Sequence, residues 1–275
     1  MMRKLLLFFI LFSISLGAVS QKKDKIKGSR VITKESDKLD DFHTIEISDN
    51  LHVTISKNNR NSYELQADEN LVEVLKFEID DEVLKIYSTK KITSAKKLEI
   101  ELNYEEIDAI ILKDDAKLDS KNKIEFPSFS LATYDSSFFD LDMEVDSLNL
   151  NLYSNSSGKI NLHGKKATIE LEDKSELKGN ISLDSLKMSM NEKSLVKVNG
   201  DINNLQLDAS GSSTLKANNL KVSTANLNTS NSADISIFVS KELRLYASEK
   251  SSINLYGNPK LEVDALNDQS KIVKK

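Results

Sequence analysis

Ser147-Leu148-Asn149-Leu150-Asn151-Leu152-Tyr153-Ser154-Asn155-Ser156 is answered nineteen residues later by Lys166-Ala167-Thr168-Ile169-Glu170-Leu171-Glu172-Asp173-Lys174-Ser175. In both, the second, fourth and sixth residues are apolar, the residues between them are polar, and a short polar turn ends in serine. Alternation with period two describes a strand with one face buried and one face wet. Stacking the segments that begin at Ser128, Ser147, Lys166, Ser185, Asn204, Thr224, Glu242 and Lys260 extends the pattern. Their fourth residues are Leu131, Leu150, Ile169, Met188, Leu207, Leu227, Leu245 and Val263. The sixth positions run Thr133, Leu152, Leu171, Met190, Ala209, Thr229, Ala247 and Ala265.

After each turn a second alternating segment follows, as in Phe139/Leu141/Met143, Ile160/Leu162, Ile181/Leu183 and Ile235/Ile237/Val239. A fixed period of this kind marks a solenoid, because one rung cannot bury its own apolar face and needs neighbours on both sides. The expected fold is all-β: a parallel β-helix of about 19-residue rungs over residues 107–275, behind a mainly antiparallel β layer over residues 42–106. No hexapeptide repeat of the left-handed prism type is present, which favours a right-handed coil.

Residues 1–20 read as an export signal. Arg3 and Lys4 precede the apolar run Leu5–Leu16, and Ala18-Val19-Ser20 fits a small-x-small cleavage site. No cysteine follows to carry a lipid, and none occurs anywhere, which removes disulfides, thiolate nucleophiles and thiolate metal sites. Residues 21–41 are polar and lysine-rich and read as a flexible lead-in, with Arg30–Thr33 able to pair as an edge strand. The formal charge is −5, with lysines and carboxylates interspersed, which argues against a nucleic-acid partner or an anionic-membrane patch. After cleavage no stable membrane insertion is expected, and the chain should be periplasmic or on the cell surface.

Phe42-x-x-Ile45-x-Ile47, then Gln66-Ala67-Asp68-Glu69-Asn70-Leu71, then Val83-Leu84-Lys85-Ile86 come in one order, followed by turns such as Ala209-Ser210-Gly211-Ser212-Ser213. Together these resemble the GIN-type domain family, catalogued as an autotransporter-adhesin head domain in Bacteroidetes-like bacteria. The resemblance covers about Phe42 to Lys271 and implies the repeat architecture and an adhesive role. It brings no catalytic residues. Lys174-Ser175 and Lys193-Ser194 stand where the family more often has glycine.

No constellation of residues specifies a reaction, a cofactor or a metal. His43, His52 and His163 are scattered, whereas a metal site needs converging ligands. The serines at Ser137, Ser156, Ser175, Ser194, Ser213 and Ser251 recur without a partner base and read as a turn hydrogen-bond ladder. The leading expectation is therefore a non-enzymatic interaction module whose partner is an envelope protein or glycan. Its candidate surface comprises Asn149, Asn151, Gln206, Asn226, Asn228 and Arg244, with Tyr134 and Tyr153 stacked near the turn. The alternative is a polysaccharide-active β-helix enzyme, a lyase or hydrolase, using the acids around Asp140 and Glu170, among them Asp135, Asp142, Glu172 and Asp173.

Overall fold

A computed structural model describes residues 23–275, so the export signal expected over 1–20 lies outside the described residues. The chain forms a β-solenoid of about nine turns, with rungs of about 19 residues. The helix among the described residues is a single turn, Glu69–Val72.

Each rung has two corners of different kinds. In the strand Phe138–Leu152, the side chains of Phe139, Leu141, Met143 and Val145 point inward. Asp146 and Ser147 then both point outward, and Leu148, Leu150 and Leu152 point inward again. Two adjacent outward residues break the alternation, and the strand passes from one side of the coil to the other there. The opposite corner is a four-residue turn. In Tyr153-Ser154-Asn155-Ser156, the Ser156 N–H donates to the Tyr153 carbonyl at 3.1 Å, and Ser154 has φ of +62°. Asp135, Asp173, Glu192, Gly211, Asn231, Glu249 and Asp268 hold the same left-handed position. Cβ sterics disfavour that conformation for most residues, and Asp, Asn and Gly bear it best.

The turns are themselves rungs of the ladder. Asn155 N–H donates to the Asp135 carbonyl, Lys174 N–H to that of Ser154 and Lys193 N–H to that of Asp173, at 2.7–2.8 Å. Backbone pairing therefore runs around the tight corner instead of ending at it, which satisfies polar groups that a buried turn would otherwise strand.

Registered partners confirm the apolar column and lengthen it. Leu131, Leu150, Ile169, Met188, Leu207, Leu227 and Leu245 lie opposite one another in succession. The column continues backward through Ile110 and Ile45 to Leu84. All of these are at most 1% exposed, whereas Val263 in the last rung is 43% exposed because nothing among the described residues stacks beyond it. The sixth column differs at its end. A bulge after Leu245 brings Leu266 opposite Ala247, and Ala265 pairs with Tyr246 instead. One extra residue in a bulged strand shifts every side chain after it to the other face.

The parallel ladders reach further toward the N-terminus than the sequence repeat does. Thr44–Ile47 lies between Val83–Ser88 and Ala109–Leu112, parallel to both. His52–Lys57 likewise lies between Leu98–Tyr104 and Lys117–Ser120. The first rung in the chain is thus second in space. The antiparallel layer closes the coil beyond it. Leu75–Asp80 pairs with Val83–Ser88 on one side, and Ser62–Asp68 then Ile32–Lys38 extend the other. Between them Tyr63 stacks on Phe77 with ring centroids 3.9 Å apart.

The polar lead-in is ordered from Lys25, and the reason lies in the Gln66–Leu71 segment. The Asp68 side chain is fully buried. Its carboxylate accepts the N–H groups of Arg30, Lys96 and Lys97, each at 3.1 Å. Burial pushes the Asp68 pKa up, but these three donors outweigh it and hold the carboxyl below its ordinary value. Asn70 accepts from Ser29 N–H at 2.8 Å and donates to the Lys27 carbonyl at 2.9 Å. Lys25–Lys27 then pairs with Lys91–Ser94, and Ile32–Lys38 with Ser62–Asp68.

Candidate binding surface

On the side of the coil that carries 147–152, two outward columns form a continuous polar face. The first runs Ser130, Asn149, Thr168, Lys187, Gln206, Asn226, Arg244, Glu262. The second runs Ala132, Asn151, Glu170, Ser189, Asp208, Asn228, Tyr246. Asn149, Gln206, Asn226 and Arg244 thus share one column, and Asn151 and Asn228 share its neighbour. At one strand spacing per rung, Asn149 and Gln206 stand about 14 Å apart. Asn149 and Gln206 are exposed. Two members are engaged locally: Asn228 Nδ2 donates to Asp208 Oδ1 at 3.1 Å, and Arg244 Nε to Asp264 Oδ2 at 2.6 Å.

Tyr134 and Tyr153 occupy the position just before the left-handed turn residue in consecutive rungs. Their rings stack with centroids 5.1 Å apart at 17°. Tyr134 is 37% exposed. Partial burial, with Glu170, Tyr134 and Glu172 around it, pushes the Tyr153 phenol above its ordinary range and keeps it a neutral donor.

The acids of the enzyme alternative do not converge. Asp140 belongs to the ladder of 138–145 and lies opposite Asp119 and Lys159, with Lys159 Nζ at 3.5 Å. Glu170 belongs to the other ladder, opposite Asn151 and Ser189. The apolar core separates the two. Asp142 accepts from Asn161 Nδ2 at 3.0 Å. Asp135 and Asp173 turn back to accept the N–H groups of Asp114 and Ser154, each at 3.1 Å, so these acids cap turns. His52 Nε2 lies 2.5 Å from Asp119 Oδ2. Among the described residues no three His, Cys, Asp or Glu side chains gather as a metal site.

The serine column points into the coil. Ser137, Ser156, Ser175, Ser194, Ser213 and Ser251 are at most 1% exposed. Ser137 Oγ donates to the Tyr134 carbonyl at 2.7 Å and Ser251 Oγ to that of Ser248 at 2.9 Å, each closing its own turn. Ser175, Ser194 and Ser213 find no protein partner for Oγ. Two further bonds run between rungs, from Thr133 Oγ1 to Ser156 Oγ at 2.9 Å and from Thr229 Oγ1 to Ser251 Oγ at 3.2 Å, so the hydroxyl ladder is partial.

Sequence reasoning passed over another column. Lys159, Lys178, Lys197 and Lys216 lie opposite one another on the ladder of 138–145. Their spacing of nineteen is the signal that would have found them. No helix among the described residues is long and apolar enough to cross a membrane.

Comparison with known proteins agrees with this architecture. No curated protein matches the sequence. Among solved structures, a "putative adhesin" from Parabacteroides merdae superposes with a TM-score of 0.64 at 16% identity, covering 92% of this chain and 99% of that one. A "putative adhesin" from Parabacteroides distasonis gives 0.69 at 14% identity, covering 92% and 100%. A "putative lipid binding protein" from the same species gives 0.65 at 18% identity, also covering 92% and 100%. At such identities the likeness is one of fold. The sequence profile described as "Putative auto-transporter adhesin, head GIN domain" matches residues 41–171 and again 154–259, most of the described chain, and the protein belongs to that family.

Proposed function

We propose that this chain is an exported, non-enzymatic binding module that acts at the cell envelope or cell surface through its outward strand columns. The observation that carries this reading is the polar face of Asn149, Gln206, Asn226 and Arg244 beside Asn151 and Asn228. It sets amide groups along a rigid coil, adjacent at Gln206 and Asn226 and about 14 Å further on at Asn149, with the Tyr134–Tyr153 stack at its edge. Amides and an aromatic face suit a hydroxyl-rich or peptide partner, so the partner is an envelope glycan or an envelope protein. Membership of an adhesin-described family supports the same reading, as does the export signal in the sequence.

The test is binding of the mature chain, from Gln21 onward, to a glycan array and to purified envelope components. Binding is expected to weaken in a variant carrying Asn149→Ala, Gln206→Ala and Tyr134→Ser. Absence of binding at high micromolar concentration across both sets overturns the proposal. Export is read separately, by locating the protein in periplasmic and surface fractions.

A further inference from the structure

Lys159, Lys178, Lys197 and Lys216 form an unbroken column of like charge on four successive rungs. Like charges directly opposite one another in neighbouring strands are destabilising. The strand spacing sets the backbones of successive lysines about 5 Å apart. The surroundings offset this only in part. Asp140 sits 3.5 Å from Lys159, and Glu176 reaches Lys178 at 2.8 Å and Lys197 at 3.4 Å. Lys216 makes no ion pair among the described residues. Four ammonium groups thus face two carboxylates, in a chain whose formal charge is −5. The side chains of Lys159, Lys178 and Lys197 are 59%, 47% and 41% exposed.

Beside this column runs a second one of amides, Asn161, Asn180 and Asn199, registered rung for rung. Asn199 Nδ2 donates to Asn180 Oδ1 at 2.9 Å, which aligns the amides along the coil axis. Ammonium groups recognise carboxylate or sulfate, and amides recognise hydroxyl groups. We infer that the Lys159–Lys216 column and its amide neighbour bind a linear acidic polysaccharide laid along the solenoid axis. The basic strip is one column wide, flanked by Glu176 on one side and Asp201 beyond the amides, which fits one polymer strand and not a broad anionic membrane surface. It carries no arginine and no run of aromatics to grip phosphates and stack bases, as nucleic-acid grooves do.

The inference rests on the reading that outward strand columns bind surface ligands, but it uses the opposite side of the coil from Asn149. The experiment compares the mature chain with a Lys178→Gln, Lys197→Gln, Lys216→Gln variant. The probes are polygalacturonate, heparin, neutral dextran and vesicles containing phosphatidylglycerol. The expected result is binding of the two acidic polymers, weakened about tenfold or more in the variant and by added salt, with dextran unbound. The variant should also melt no lower than the parent, since a repulsive column has been removed. Equal binding by parent and variant overturns the inference, as does a preference for vesicles over the polymers. If the parent ignores the acidic polymers yet binds other glycans or envelope components, this inference fails while the general reading stands. If it binds nothing, both fail.

Discussion

Phe139 lies directly opposite Gly158 in the next rung, and its ring occupies the space a side chain there would fill. A Cβ added at Gly158 would stand 2.0 Å from the Phe139 ring. The inward column otherwise reads Leu118, Leu177, Val196, Leu215 and Ile235, so one oversized residue is matched by one absent side chain. Gly158→Ala is expected to destabilise the coil by about 1–3 kcal/mol through overpacking. Phe139→Leu alone should also cost stability, through the cavity it leaves. The double variant should recover part of both losses, which chemical denaturation in a double-mutant cycle will measure.

Gly211 holds the left-handed turn position with φ of +69°, and a Cβ there would come within 2.7 Å of the Glu192 backbone in the preceding rung. The Ser212 N–H donates to the Glu192 carbonyl at 2.5 Å, so the two turns are pressed together. Gly211→Ala is expected to lower the melting temperature, with a loss of about 1–3 kcal/mol from strain and contact combined. The same exchange at Ser212, which is exposed, should be nearly neutral.

Two serines in one column should answer oppositely to loss of their hydroxyls. Ser137 Oγ has the Tyr134 carbonyl as partner, and Ser137→Ala should cost about 1 kcal/mol. Ser194 Oγ is buried without a protein partner, and Ser194→Ala should be neutral or stabilising by about 1 kcal/mol. Ala233 and Ala116 already occupy equivalent turn positions, which indicates that the coil accepts a methyl group there. Thermal melts of the two variants decide between these expectations.

The Asp68 carboxyl ties the N-terminal segment to the cap and has a lowered pKa in the folded chain. A carboxyl with a depressed folded pKa contributes stability that is present above its unfolded pKa, about 4. That stability is lost as pH falls through the folded value. Protection of the amides of residues 25–38, measured against their intrinsic exchange rates, should therefore fall in acid before that of the rungs. Asp68→Asn should raise exchange in this segment at neutral pH and flatten its acid dependence.

Tyr63 reports on the same cap from the alkaline side. Burial, then the hydrogen bond and charge of Glu35 and the charge of Asp37, push its phenol up to about 12. A raised folded pKa gives stability present below the unfolded value of about 10 and lost as pH rises through the folded one. An ultraviolet phenolate titration should show several tyrosines titrating late, Tyr63 among them beside the buried Tyr104 and the part-buried Tyr153, and Tyr63→Phe should shrink the late amplitude by one tyrosine.

The alternation of Leu148, Leu150 and Leu152 and its return at Ile169 and Leu171 was enough to establish strands, period, stacking and the identity of the core column. Burial of one strand face is a local property that a sequence must encode at every rung. The nineteen-residue period could not reveal that Thr44–Ile47 and His52–Lys57 lie between rungs formed later in the chain. That crossover depends on which strand edges pair in the assembled coil, and a linear repeat carries no record of it. The buried role of Asp68 was equally invisible, because its three N–H donors come from positions 30, 96 and 97.

The candidate surfaces divide along the same line. Tyr134 and Tyr153 occupy equivalent positions in consecutive repeats, so their stacking follows from the period alone. Asp140 and Glu170 fall on neighbouring rungs in the repeat but in different columns, and the outward bend at Asp146-Ser147 sends the two segments to opposite sides of the core. Lys159, Lys178, Lys197 and Lys216 look diluted among carboxylates along the chain and become a single column once the rungs stack. The residues alone mark the inward columns of the regular rungs, because each strand must hide one face, whereas the exposure of Val263 and the burial of Asp68 follow from how the two ends of the coil are covered. Which exposed charges become neighbours is set by the stacking of the rungs, because it depends on where the coil turns its corners.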